Sequence, residues 1–329
     1  MSGGAIVPRH RCRVPHPTCV IYNPAAGRGR ARRRLDAARR RFGPDVVYRP
    51  TDGPWHAAEL ARKAASEGFT RVVAAGGDGT VHEVANGLLK AERDNVTLSV
   101  WPLGSMNDLA YTLGLSRWWT EGADQPLDVL RADVGLVRAA GRERYFVNGC
   151  GVGFNGLVAR ESRSIRWLSG RPLYVLAFLK TMALRYATPE LSVRFDLEEC
   201  NEPTLSLSLN LGQREGGFAV TPDARLDDGS FEVLHVGAVR RWELARYLPG
   251  LIAGRLPTDH PHLRRTQSSR AKIRSRAALC VHTDGELFAT PSDDVRELDI
   301  GLLPARLRVE VCPRYLYGGR GAGRWASKA

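Results

Sequence analysis

Short apolar runs and helical periodicities alternate along the first third of the chain. Thr18-Cys19-Val20-Ile21-Tyr22, Val46-Val47-Tyr48, Val72-Val73-Ala74-Ala75 and Leu98-Ser99-Val100-Trp101-Pro102-Leu103 have the composition and length of strands. Helices are expected between them: at about 31–42, and at His56–Ser66 with Thr51 as its cap. A third follows Gly76, where Val81, Val84, Ala85, Leu88 and Leu89 recur at helical spacing, and a fourth covers 109–113. This alternation predicts an α/β fold built on an open, mostly parallel sheet, whose ligands bind outside the carboxyl ends of the strands.

From about Arg138 the pattern changes to β-rich segments separated by turn residues: 144–147, 191–197, 204–211, 230–236, 277–282 and 306–311. Strands at such spacing predict a C-terminal antiparallel β-sandwich domain. Between the first two, residues 167–186 carry Leu173, Leu176, Leu179 and Leu184 in helical register, as a cover helix or as the wall of a greasy groove. A later block joins Arg240, Arg241, Arg246, Arg255, Arg264 and Arg265 to Leu244, Tyr247, Leu248 and Leu251, which suits an anionic bilayer surface or a solvated helix. The chain therefore divides into a basic leader at 1–16, an α/β domain at 17–137, a β-rich domain at 138–317 and a tail at 318–329.

Composition narrows the partners. The chain has 329 residues, 43% of them hydrophobic, enough for two packed domains. Its net charge of +13 favours an anionic membrane surface or nucleic acid, unless the arginines only reflect base composition. No helix-turn-helix, zinc-finger or RNA-binding signature is visible, so nucleic acid is not expected. Six cysteines without a C-x-x-C pair suggest reduced thiols in a cytoplasm and no zinc site. Residues 173–184, the most apolar stretch, are interrupted by Lys180 and too short to span a bilayer.

The candidate chemistry lies at turns. Gly76-Gly77-Asp78-Gly79-Thr80 joins a strand to a helix, so its backbone N–H groups could cradle a phosphate, or it could be an ordinary βα corner. Asp78 between two glycines is unexpected beside a phosphate unless a metal or a basic group accompanies it. Gly104-Ser105-Met106-Asn107-Asp108 forms a second such turn, and Asn23-Pro24-Ala25-Ala26-Gly27-Arg28-Gly29 a loop that lacks Walker A spacing. Much later, Asp284-Gly285-Glu286 places two carboxylates at a strand end, which suits proton transfer from an alcohol or a plain surface turn.

Taken in order, Asn23-Pro24, Gly76 to Thr80, Pro102 to Ala110 and Asp284-Gly285-Glu286 resemble the diacylglycerol kinase catalytic family, over about residues 18–317. That family includes bacterial lipid kinases and the sphingosine and ceramide kinases. A lone G-G-D-G also occurs in NAD kinases and phosphofructokinases. The resemblance makes the α/β domain an ATP-binding domain and implies that Gly76, Gly77, Asp78, Gly79 and Thr80 hold nucleotide phosphates, with Glu83 behind them. Asn23, Thr51, Gly104, Ser105, Asn107 and Asp108 fall at further nucleotide-contacting positions. It implies magnesium, which Asp78, Asp108 and Asp133 could hold, with Asp133 a plain turn aspartate as the alternative, and a general base from Asp284 or Glu286, with Glu286 favoured. In bacterial relatives a structural magnesium sits at the segment matching Asp228 and the carbonyls of Arg225 and Ser230; a plain hairpin turn competes there. Met106 and His82 depart from the common bacterial pattern, His82 toward the sphingosine and ceramide kinase branch.

The implied activity is an ATP- and magnesium-dependent lipid kinase acting on a diacylglycerol or sphingoid-type hydroxyl. It would be cytoplasmic and peripheral at the anionic inner face of the membrane, with a homodimer left open. Replacing Asp78 by Asn is expected to abolish turnover with little loss of folding. The rivals are a soluble NAD kinase or sugar-phosphate kinase, or a non-catalytic nucleotide-binding protein.

Overall fold

The computed structural model describes residues 17–29, 46–121, 125–255 and 260–319. The expected leader at 1–16, the helix at 31–42 and the tail beyond Gly319 lie outside them. The first half alternates as expected: β1 Thr18–Tyr22, β2 Val46–Pro50, α1 His56–Ser66, β3 Arg71–Gly76, α2 Asp78–Lys90, β4 Thr97–Pro102, α3 Asp108–Thr112 and α4 Leu115–Glu121. Strands β2, β1, β3 and β4 are parallel neighbours in that order. Val72 to Ala75 are wholly buried, as parallel strands covered on both faces require.

Small residues set how the helices pack. α1 buries Ala57, Ala61, Ala64 and Ala65. A Cβ on Gly87 of α2 would stand 2.2 Å from the Ala58 carbonyl oxygen, so glycine there is what lets the two helices approach. Thr51 is not the cap of α1. Trp55 precedes the helix in the left-handed region at φ 65°, and the Thr51 N–H donates to the Tyr22 carbonyl at 2.9 Å instead.

The second half supplies β5 Asp128–Ala139, β6 Arg142–Phe146, β7 Gly149–Gly153, α5 Phe154–Ser162, α6 Arg171–Leu184, β8 Glu190–Arg194 and β9 Glu199–Asn210. A two-residue hairpin follows, β10 Arg214–Glu215 and β11 Phe218–Ala219, then β12 Phe231–Gly237, α7 Arg241–Ile252, β13 Leu263–Ser268 and β14 Arg270–Ser275. The chain closes with β15 Val281–Thr283, β16 Glu286–Ala289 and β17 Glu297–Val311. Pairing among these strands is antiparallel, as the turn-punctuated pattern predicts. β5 is a long strand absent from the expected set, and it spans the transition between the two textures.

Strand β17 ties the halves together. Its first part pairs with β14 and along β5, while Arg308 and Val309 pair in parallel with Thr97 and Leu98 of β4. The last strand thus returns to the first sheet instead of ending in the sandwich. Arg71 and Glu310 fasten this return with two hydrogen bonds of 2.7 Å.

Candidate active site

The turn after β3 is closed by contacts that only glycines permit. A Cβ on Gly76 would meet Thr80 Oγ1 at 2.3 Å, and one on Gly104 would lie 2.4 Å from Gly77 Cα. The two glycine loops therefore touch backbone to backbone. Asp78 explains how they are held: its Oδ2 accepts the Asn107 N–H at 2.9 Å and its Oδ1 the Asp108 N–H at 2.7 Å. Asn107, left-handed at φ 54°, closes its own loop through Gly104 N–H and Gly104 O. Asp108 in turn accepts the N–H of Gly217, 109 residues on.

These buried carboxylates lie near one another, with the Arg214 guanidinium close enough to act on Asp108. Burial pushes the Asp78 carboxyl up. Burial, then the charge of Asp78, raises Asp108 to about 8. Two hard oxygen donors that repel each other in a dry site match the donor set magnesium prefers. Asp133 is not with them. Its strand β5 runs beside β17, and its oxygens accept Gly229 N–H and Ala305 N–H, both at 2.8 Å. It therefore lies under the 225–230 loop, where Asp228 Oδ1 accepts the N–H and hydroxyl of Ser230 at 3.2 and 3.1 Å.

Asp284 and Gly285, at φ 51° and 83°, make the tight turn between β15 and β16. Asp284 Oδ1 collects the N–H groups of Val147, Asn148 and Gly149 at 3.2, 2.8 and 3.0 Å. Its Oδ2 takes the Nδ1–H of His82 at 2.7 Å. Few lone pairs remain for a proton. Glu286 differs: it pairs with Arg163, is 38% exposed, and stands 2.8 Å from where a Cβ on Gly79 would be. Its carboxylate overhangs the glycine turn.

Other expected residues take other duties. Glu83 accepts the Ala57 N–H at 3.2 Å, capping α1, with burial pushing its carboxyl up. Asn23 bonds the Ala25 N–H at 2.9 Å in the turn after β1, while Ser105 is exposed on the rim of the second loop. Met106 packs its sulfur against Gly217, 2.6 Å from a Cβ built there. His82 keeps Asp284 as a partner, but its Nε2 is buried without one.

One cavity of about 220 Å³ runs from this cluster into the β-rich half. Asp78, Asp108 and Asp284 stand at one end, and Phe178 of α6 with Leu244, Leu248 and Leu251 of α7 line the other. α6 is thus a groove wall and not only a cover. α7 buries none of its residues fully, and its Trp242 is 58% exposed. Tyr174, Glu215 and His282 also line this space; they lie in no sequence motif, and the topology brings them to the glycine loops.

Residues 17–137 match the family model described as the diacylglycerol kinase catalytic domain, and residues 149–311 that of the YegS C-terminal NAD kinase beta sandwich-like domain. A diacylglycerol kinase of Bacillus subtilis is 28% identical over 274 residues, covering 81% of this chain and 88% of that protein. A Chromohalobacter salexigens protein described as a probable lipid kinase, YegS-like, is 32% identical over 255 residues, covering 75% and 79%. A crystal structure of a diacylglycerol kinase from Bacillus anthracis has the same fold, with a TM-score of 0.63 at 21% identity over 89% of this chain and 96% of that one.

Proposed function

Because the chain belongs to the diacylglycerol kinase family of lipid kinases, we propose that it transfers the γ-phosphoryl group of ATP to the hydroxyl of a diacylglycerol- or sphingoid-type lipid. The observation that carries this reading is the continuous cavity. Carboxylates beside a glycine-lined turn open directly onto an apolar wall, where a phosphate donor and a greasy acceptor can meet.

The roles follow from the geometry. The N–H groups at Gly77 to Thr80 and the start of α2 receive the phosphates, and Asp78 keeps the second glycine loop closed against the first. Asp78 and Asp108 would hold magnesium, which when bound neutralises phosphate charge in the transition state. Glu286 takes the proton of the lipid hydroxyl. The hydroxyl oxygen forms a bond to the γ-phosphorus as the bond from that phosphorus to the β–γ bridging oxygen breaks, and ADP leaves. Asp284 anchors the 147–149 backbone and His82, so that the acceptor end of the cavity keeps its shape.

Among the described residues no helix is long and apolar enough to cross a membrane. Access to lipid is instead assigned to α7 and its surroundings. Exposed Trp242, with Trp167 and Leu184, would enter the headgroup region while Arg241 and Arg246 meet anionic lipid. Such attachment weakens as salt rises.

The test is transfer of label from γ-labelled ATP, read by phase extraction after incubation with a panel of lipid alcohols. Label in an organic-soluble product supports a lipid kinase. Label confined to a water-soluble product would favour an NAD kinase-like or sugar-phosphate kinase, and ATP consumption indifferent to added lipid would reject this reading.

A further inference from the structure

In a chain of net charge +13, the described wall of the cavity carries Asp78, Asp108, Glu215 and Asp284 but no lysine or arginine. The guanidinium groups around it are used elsewhere: Arg163 on Glu286, Arg171 on the Gly217 carbonyl, and Arg214 on the Tyr111 ring. The Arg214 charge still reaches Asp108, but a lipid head bearing a phosphate would meet four carboxylates on the cavity wall itself. Metal at Asp78 and Asp108 would relieve that charge at the nucleotide end and leave Glu215 as it is.

Glu215 is built into its place. Its Oε1 accepts His282 Nε2–H at 2.9 Å and Asn155 Nδ2 at 3.4 Å, and its Oε2 accepts the Ser208 hydroxyl at 3.2 Å. The Gly285 N–H donates to His282 Nδ1 at 3.2 Å, which leaves the ring hydrogen on Nε2 to face Glu215. Burial pushes the Glu215 carboxyl up, but the hydrogen bond and the charge of His282, followed by the hydrogen bonds from Ser208 and Asn155, outweigh it and hold the group below its usual range. The side chain remains 20% exposed, among residues that all line the cavity. An ionised carboxylate offers about four acceptor sites, and three are taken. One is left for a donor in the cavity.

Resting on the lipid kinase reading, we propose that Glu215, clamped by His282, Ser208 and Asn155, recognises the acceptor's head. It accepts a hydrogen bond from a second donor beside the reacting hydroxyl, an ammonium, amide N–H or hydroxyl group, and it selects lipid alcohols that carry no phosphate. The turn at Gly216 and Gly217 joins this point to Asp108, so head recognition sits one short turn from the nucleotide loop.

The experiment compares the full chain with Glu215→Gln on four acceptors in mixed micelles: a sphingoid base, a monoacylglycerol, a 1,2-diacylglycerol and a phosphatidylglycerol. For the first two, kcat/KM is expected to fall at least 10-fold in the variant, mostly through KM, with the KM for ATP unchanged. Diacylglycerol, which offers no second donor, should change less than threefold, and phosphatidylglycerol should be a poor substrate throughout. Equal rates for wild type and variant on the sphingoid base, or efficient use of phosphatidylglycerol by wild type, would overturn the proposal. Binding of a fluorescent sphingoid base without ATP is read in parallel. Glu215-dependent binding without turnover on any lipid would reject the kinase reading and leave the recognition site standing; Glu215-independent binding would reject the site alone. Should Glu215→Gln unfold, Ser208→Ala removes one clamp without removing charge and is expected to shift the same constants in the same order, by a smaller factor.

Discussion

His82 Nδ1 stands 2.7 Å from Asp284 Oδ2, a bond that joins the helix of the phosphate turn to a strand turn 202 residues away. Both side chains are almost wholly buried, so neither can replace its partner with water. His82→Leu leaves a buried carboxylate short of one donor, a loss of roughly 1.5–3 kcal/mol for a hydrogen bond to a charged group. A clear drop in melting temperature is expected, with kcat reduced about 10-fold as the 147–149 segment loosens. His82→Asn keeps a donor of similar reach and should stay within a few-fold of wild type by both measures.

Asp78 makes a second prediction, and here the geometry changes what the sequence alone suggests. From the motif, Asp78→Asn removes a metal and phosphate organiser and spares the fold. In the structure each carboxylate oxygen accepts a backbone N–H of the second loop, and an amide can serve only one of them. The other N–H then faces an NH2 group. Turnover should fall about 100-fold or more, and stability should fall as well, by roughly 1–3 kcal/mol for the unpaired group. Denaturant unfolding beside steady-state kinetics measures both.

How much of this was legible in the chain depends on sequence distance. The glycine turns, the parallel strands and the antiparallel texture are local patterns, and periodicity reads them. The return of β17 to β4 is not local, because nothing in 306–311 distinguishes a strand that closes the first sheet from one that stays in the second. Asp133 shows the same limit: its residue type suits a metal, but the register of β5 against β17 turns it toward the 225–230 loop. Glu83, close in sequence to the phosphate turn, faces α1 because its place on the helix points it there.

The glycines can be ranked. Gly104→Ala puts a Cβ 2.4 Å from the Gly77 backbone, which cannot yield as a side chain would. Displacing the second loop by about 1 Å should cost on the order of 100-fold in kcat/KM for ATP. Gly79→Ala meets only the tip of Glu286, at 2.8 Å, and that side chain can rotate away. Its KM for ATP should stay within threefold of wild type, with any loss confined to kcat. Kinetics with ATP varied at saturating lipid separates the two.

Glu161 supplies a pH-dependent test of how the groove wall is held. It sits on α5, pairs with Lys180 of α6, accepts the Ser164 hydroxyl at 2.8 Å and lies 3.8 Å from Arg185. The bonds to Lys180 and Ser164 hold its carboxyl below the usual range. A carboxyl depressed in the folded state adds stability above its unfolded value of about 4.3 and loses it as pH falls through the folded one. Glu161→Gln should therefore destabilise the protein by about 1–2 kcal/mol at neutral pH, given that the lysine and arginine ends are half in water. The gap between variant and wild type should begin to narrow as pH drops below about 4 and close only once pH lies below the depressed folded value, where both carry a neutral side chain at this position. Melting curves at several pH values follow that gap. A difference that stayed constant down to pH 3 would mean that packing, and not the ion pair, fastens α6 to α5.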